Sequence, residues 1–270
     1  NRRALSLAVP NSIIVITAHS MLQYSADIAF PFRQDQSFWY LCGIDEPDCV
    51  LTIDTKTQDM VMFLPTKNSY QDEWDGSNDI EYLQEISAIN KYLPDDELVK
   101  YLKQKISAGR RLASLSPAPQ IVEPYGFYAN PARARLYERL KELNHEVLDV
   151  RSDVARLRSV KQPEEIEHIK KAIKITAETL EEVHKKRAEL SNEKEIERAI
   201  SAGFFRRGAD GHAYEPIVAS GANASIIHYK SNRKLINAHE LLLLDVGAEY
   251  HGYAADISRT WSIGKPTERQ

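Results

Sequence analysis

Between Leu241 and Trp261 the chain places two aspartates inside an otherwise apolar pair of strands, and no other stretch restricts the fold as much. Leu241-Leu242-Leu243-Leu244-Asp245-Val246-Gly247 and Tyr253-Ala254-Ala255-Asp256-Ile257-Ser258-Arg259-Thr260-Trp261 read as the two arms of a hairpin, with the turn between Glu249 and Gly252. A two-residue loop at His251-Gly252 sets Asp245 opposite Ser258, and strand alternation then puts Asp256 on the same face. Diagonal neighbours of this kind lie roughly 7 Å apart at the backbone, so both carboxylates can lean onto a shared cation. A buried acid needs a cation, a proton or a strong donor. An Asp closing an apolar run is also a common turn former, and Arg259 offers Asp256 a salt bridge, so plainer readings stay open for either acid alone. Two acids on one face, flanked by apolar residues, favour one half of a hard-cation site.

A chain of 270 residues with 43% hydrophobic content can bury one large core or two ordinary ones. Its 35 basic and 39 acidic residues nearly cancel to a formal −4, which supplies no electrostatic footprint for nucleic acid or an anionic membrane. Neither partner is expected. Cys42 and Cys49 are the only cysteines, too few for a disulfide framework, and they favour a reducing, cytoplasmic setting as ordinary strand residues. The longest apolar runs, Ile13 to Ala18 and Leu241 to Leu244, fall far short of a membrane span. Arg2 and Arg3 are followed by no sustained apolar core, so no secretory signal is visible.

From Ser12 to about Leu148, β-branched or aromatic runs alternate with helical patterns, which reads as an α/β domain. Ile13–Thr17, Phe38–Leu41, Val50–Ile53, Met60–Leu64 and Val147–Val150 are the expected strands. Ile80–Asn90, Asp95–Ile106 and Pro131–Asn144 carry helical spacing, the last with Leu136, Leu140 and Leu143 on one stripe. A charged stretch from Arg151 to Gln162 marks the boundary, giving expected domains at 1–155 and 156–270. Pro163, Glu164 and Glu165 suit the first turn of a long amphipathic helix whose apolar stripe runs through Ile166, Ile169, Ile173, Ala177, Leu180 and Val183. Asn192 and Glu195 form a capping box for a second helix through Ile196, Ile200 and Phe204, closed by Gly208. Strands are then expected at Tyr214–Ala219, Ile226–Tyr229 and the aspartate hairpin.

These residues resemble the aminopeptidase P family, the Xaa-Pro aminopeptidases, and more distantly prolidase. In the first domain the resemblance rests on Pro31-Phe32-Arg33-Gln34-Asp35-Gln36-Ser37-Phe38-Trp39-Tyr40, then Gly43 and Glu46-Pro47. In the second it rests on Lys161-Gln162-Pro163-Glu164-Glu165-Ile166, Ile217-Val218-Ala219-Ser220-Gly221, Ile227-His228-Tyr229 and Asp245 through Thr260, in the family's order and spacing. It implies an α/β N-terminal domain followed by an α+β pita-bread domain of the creatinase/aminopeptidase type. It also implies two divalent metal ions, commonly manganese, with Asp245 chelating one and Asp256 bridging both, and a hydroxide between them as nucleophile. His228 matches a histidine that contacts substrate and stabilises the tetrahedral intermediate. Tyr214 matches a tyrosine near the metals, and Trp74 a tryptophan that a neighbouring subunit lends to the site mouth, so both are candidate substrate-binding residues. The plainer alternatives are a strand aromatic packed in the core for Tyr214 and a partly buried loop residue for Trp74.

The implied substrate is a peptide with proline in the second position, and the implied assembly a homo-oligomer of the full-length protein. The sequence departs from the family in one respect. The remaining metal ligands, one His and two Glu, fall downstream of the hairpin in the family, and this chain stops at Gln270. The expectation is therefore an incomplete pita-bread domain, three of five ligands short and inactive by itself, with His212, His239 and His251 read as surface or loop residues. Two other functions share these features: a prolidase-type dipeptidase, and a non-catalytic pita-bread module that binds a protein partner.

Overall fold

In the computed structural model, residues 1–117 and 128–270 are described. The chain divides into two compact units, Asn1–Val160 and Lys161–Gln270.

The first unit carries strands β1 (Ser12–Thr17), β2 (Gln23–Ser25), β3 (Ile28–Ala29), β4 (Val50–Asp54), β5 (Met60–Leu64), β6 (Tyr92–Pro94), β7 (Arg111–Ser114) and β8 (Val147–Asp149). Its helices are α1 (Arg2–Ala8), α2 (Gln36–Cys42), α3 (Ser69–Asp75), α4 (Ile80–Ser87), α5 (Leu98–Ser107), α6 (Ala132–Leu143) and α7 (Arg151–Ser159). Six strands form a mixed sheet in the order β6-β5-β4-β1-β7-β8, and β2 and β3 pair separately. The central β1 is buried throughout because both faces of the sheet are covered. Ile14 and Ile16 enter one core with Leu5, Phe38, Leu51 and Met62, whereas Ile13 and Val15 enter the other with Phe63, Leu98, Leu112 and Leu140. Alternation along one strand thus feeds two cores.

Phe38–Leu41 is helical, not a strand. The Asp35 side chain caps α2 by accepting from the Ser37 and Phe38 amides at 2.9 and 3.0 Å. Gly43 closes the helix in the left-handed region at φ 73°. These two end signals outweigh the aromatic run between them. Cys42 consequently ends a helix, and both cysteines are buried free thiols. The short central strand β7 and the helices α1, α3 and α7 were not anticipated by hydrophobic spacing.

Asp54 closes β4 with a fully buried side chain. Lys105 Nζ of α5 donates to Oδ2 at 2.8 Å, Arg110 Nε to Oδ1 at 2.9 Å, and the Lys56 amide to Oδ1 at 3.1 Å.

The second unit opens with α8 (Pro163–Lys186) and α9 (Glu193–Arg206), followed by β9 (Gly211–His212), β10 (Ile217–Ser220), β11 (Leu241–Val246), β12 (Ala248–Tyr250), β13 (Tyr253–Ala254) and β14 (Ile257–Ser262). The strands form two three-stranded sheets, β10-β11-β14 and β13-β12-β9. Pro163 begins α8, and Gln162 and Glu165 cap it reciprocally. In α9 the cap is split. Asn192 Oδ1 accepts from the Glu195 amide at 3.0 Å, but the Glu195 carboxylate turns to the Ser191 amide and hydroxyl.

Ile175, Leu180 and Val183 of α8 and Ile196, Ile200 and Phe204 of α9 pack on Val218, Leu242, Leu244 and Val246. The buried stripe of α8 includes Thr176 and Thr179, while Ile166 and Ile173 are exposed at 40% and 44%. Two local interactions shift the stripe from the one expected. Thr176 Oγ1 donates to the Ala172 carbonyl and accepts from the Ala248 amide, so its hydroxyl is satisfied inside the core. Gly203 lets the two helices approach, because a Cβ there would lie 2.5 Å from Thr179 Cγ2.

Candidate metal centre

Strand alternation decides which side chains β11 gives away. Leu242, Leu244 and Val246 face the helices and are fully buried, which leaves Asp245 on the opposite face. Across the ladder Asp245 pairs with Ser258 and Val246 with Ile257. The same register continues to the turn, where Glu249 pairs with Ala254 and Tyr250 with Tyr253. His251 and Gly252 form the two-residue loop with φ 47° and 74°, the pair of positive values that hairpin turns of this length adopt. The expected hairpin is present with its expected register, but its two halves join different sheets.

The break falls beside the acids. Ala255 and Asp256 lie between β13 and β14, and the Ala255 amide donates to the Ala248 carbonyl at 3.0 Å. A Cβ at position 247 would sit 1.7 Å from the Ala255 carbonyl oxygen and 3.1 Å from Tyr214 Cε1, so only glycine fits there. The Gly247 carbonyl in turn accepts from the Ala213 amide at 2.9 Å, which fixes the backbone next to Tyr214. Tyr214 itself lies in a bend before β10, not in a strand, since Pro216 follows and the ladder starts at Ile217.

From that bend Tyr214 Oη reaches Asp245 Oδ1 at 2.5 Å and Asp256 Oδ1 at 3.0 Å. A phenol has one proton, so it serves one of these oxygens and leaves the other facing a lone pair. Burial first, and then the two carboxylates, push the Tyr214 hydroxyl well above the usual phenol range. Arg259 does not neutralise Asp256; it donates to the Ser258 carbonyl at 2.7 Å. Among the described residues no ion pair reaches either acid, and no group of three or more His, Cys, Asp and Glu could hold a metal. Three converging oxygens form a donor set that suits a hard divalent ion such as manganese or magnesium. Asp245 and Asp256 are the residues that would hold it.

His228 stands apart from this hydrogen-bonded group. Residues Ile226–Tyr229, expected as a strand, form a turn after a 3-10 helix spanning Gly221–Ser225, and His228 is exposed on that turn. Trp74 belongs to the first unit, in the last turn of α3, where it is 72% exposed and lies 5.6 Å from the Tyr70 ring. His212, expected as a surface or loop residue, sits half-buried in β9 against Phe204 with its Nε2 2.8 Å from Ser201 Oγ. Sequence reasoning missed Gly247 and the buried Glu193. The Asp-Val-Gly step inside a hairpin was a usable signal for the glycine, whereas Glu193 looked like one more helix-start acid.

Residues 1–113 match the aminopeptidase P N-terminal domain, and residues 167–270 match metallopeptidase family M24. The Xaa-Pro aminopeptidase of Haemophilus influenzae is 30% identical over 275 residues, covering 99% of this chain and 61% of its own. A zinc-substituted E. coli aminopeptidase P in complex with product superposes with a TM-score of 0.77 at 29% identity, covering 100% of this chain and 63% of that one. Pseudomonas aeruginosa aminopeptidase PepP gives a TM-score of 0.79 at 26% identity, covering 97% and 60%. The chain spans about half the length of the curated relatives it matches.

Proposed function

Because the chain belongs to the aminopeptidase P family, with that family's N-terminal domain joined to a pita-bread metallopeptidase fold, we propose that the whole protein is a dinuclear-metal aminopeptidase. It would release the N-terminal residue from peptides with proline in the second position. The observation that carries this reading is the convergence of Asp245, Asp256 and the Tyr214 hydroxyl, with no Lys or Arg side chain paired to either acid among the described residues. Two divalent ions, manganese by preference, would acidify a water and polarise the scissile carbonyl when bound.

The chain's own residues have separate tasks in this reading. Asp245 and Asp256 supply two of the metal ligands, and the whole protein brings the others. Gly247 keeps the two strands close enough for both acids to share one site. Ser258, opposite Asp245, lies where it can orient a ligating carboxylate. His228 contacts the substrate and holds a hydrogen bond to the developing oxyanion, for which its exposed turn leaves room. Tyr214 lines the substrate side of the acids, and Trp74, exposed on α3, completes the mouth of a neighbouring subunit's site in a homo-oligomer. No helix among the described residues is long and apolar enough to cross a membrane, and the two free thiols suit a cytoplasmic protein.

The test is manganese-loaded whole protein with a longer peptide carrying proline second. Release of the first residue alone is expected. Cleavage confined to proline-ending dipeptides would make it a dipeptidase, and absence of cleavage at every manganese concentration would end the peptidase reading.

A further inference from the structure

Glu193 is the first residue of α9, and its side chain is wholly buried with no cation against it among the described residues. Five neutral donors replace the cation. Oε1 accepts from the Ser220 amide at 2.8 Å, the Ser220 hydroxyl at 2.9 Å and Asn223 Nδ2 at 3.0 Å. Oε2 accepts from the Tyr229 hydroxyl at 2.7 Å and the Lys234 amide at 2.9 Å. The Glu193 amide completes the circuit by donating to the Lys234 carbonyl at 3.0 Å. A helix N-terminus adds a further favourable field for the charge.

Every donor except the helix belongs to the segment from Ser220 to Lys234, which contains His228. The segment is held at its far end by the buried Asn232, which accepts from the Val218 amide at 3.1 Å and donates to the Pro216 carbonyl at 2.8 Å, but the His228 turn between Ser220 and Asn232 has little burial of its own. Ile226 and Ile227 are 54% and 84% exposed, and His228 is exposed as well. The one deeply buried side chain of the turn is Tyr229, whose hydroxyl both donates to Glu193 and accepts from Asn223 Nδ2 at 2.8 Å. Local backbone bonds, Ile226 to the Asn223 carbonyl and Tyr229 to the Ile226 carbonyl, shape the turn but do not anchor it to the unit. Among the described hydrogen bonds, the anchor of the turn itself, through Asn223 and Tyr229, is the carboxylate.

We infer that Glu193 is the positioning residue for the His228 turn, fixing the histidine through Tyr229 and Asn223 although it does not itself approach the site acids. The inference rests on the proposed role of His228 in substrate contact. Fixing such a group matters because a displacement of about 1 Å at a reacting centre can cost roughly a hundredfold in rate.

The test uses the whole manganese-loaded protein and a peptide with proline second. Glu193→Gln keeps the side-chain volume but removes the charge that five donors address. It is expected to lower kcat roughly a hundredfold, with manganese affinity within about twofold of the unsubstituted protein because no metal ligand is touched. On a His228→Ala background the same substitution is expected to cost almost nothing more, since both act through one group. Tyr229→Phe, which deletes a single donor and spares the helix start, is expected to show the same non-additivity on a smaller scale.

A full additional loss on the His228→Ala background would overturn the inference, because Glu193 would then support the unit at large. Hydrogen exchange separates this failure from failure of the peptidase reading. Faster exchange confined to residues 222–230 in Glu193→Gln supports the anchor even if the unsubstituted protein proves inactive. Unchanged exchange there overturns it whatever the activity.

Discussion

Asp54 in the first unit and the Asp245–Asp256 pair in the second are both acids at the ends of apolar strands, and their surroundings are opposite. Asp54 is closed off from solvent and held by Lys105, Arg110 and a backbone amide. Asp245 and Asp256 have one phenol between them and no cation among the described residues. In the first case the fold supplies the opposite charge, so the acid is part of the framework. In the second the fold brings two negative groups together on a face that is not the buried one expected, with Asp245 half-buried and Asp256 exposed, so their charge is left to solvent and open to an ion from outside. Glu193 is a third solution, a buried carboxylate balanced by neutral donors and used to tether a turn. Charge balance and burial therefore separate framework acids from site acids together: Asp54 and Glu193 are buried and satisfied, whereas Asp245 is half-buried, Asp256 is exposed and neither has a cationic partner among the described residues.

Removing the carboxylate of each kind should have contrasting consequences. Asp54→Ala leaves Lys105 and Arg110 without their partner and is expected to destabilise the first unit by about 3 kcal/mol, read in denaturant unfolding, with manganese affinity unchanged. An unchanged midpoint would show that Asp54 is not framework after all. The same residue gives a smaller effect through pH. Burial raises its pKa, but the hydrogen bonds from Lys105, Arg110 and the Lys56 amide outweigh burial and hold the carboxyl at about 2. A lowered folded-state pKa means stability that is present above the ordinary value of 3.8 and lost as pH falls toward about 2. The contribution is about 2 kcal/mol, and Asp54→Ala should remove that portion of the acid limb.

The smallest effect is expected at the phenol. Tyr214→Phe takes away the one donor that the site acids share among the described residues and should cost the metal-free protein about 1 kcal/mol. Manganese should reverse that loss, so the thermal shift on adding the metal should be larger in the variant than in the unsubstituted protein. An equal shift would mean that the hydroxyl and the metal do not compete for the same oxygens.

Much of this layout was legible from periodicity. The two-residue turn at His251-Gly252 and the pairing of Asp245 with Ser258 followed from strand alternation, because the period of two leaves a register little freedom once one face is apolar. β5 is legible from end to end, as a short apolar run bounded by Asp59 and Pro65. Where tertiary or end effects decided, spacing failed. Phe38–Leu41 has the composition of a strand, yet Asp35 and Gly43 make it a helix. β7 holds only four residues and owes its place to β1 and β8 on either side. The His228 turn depends on Glu193, more than thirty residues earlier in the chain, and no local pattern carries that information.

The central claim is that Asp245 and Asp256 together form a divalent-metal site, and titration calorimetry of the whole protein with manganese addresses it most directly. The expected result is saturable binding that falls at least about tenfold in affinity with Asp256→Asn and does not change with Asp54→Ala. Manganese binding of full strength in Asp256→Asn would contradict the assignment and return both acids to the role of turn formers.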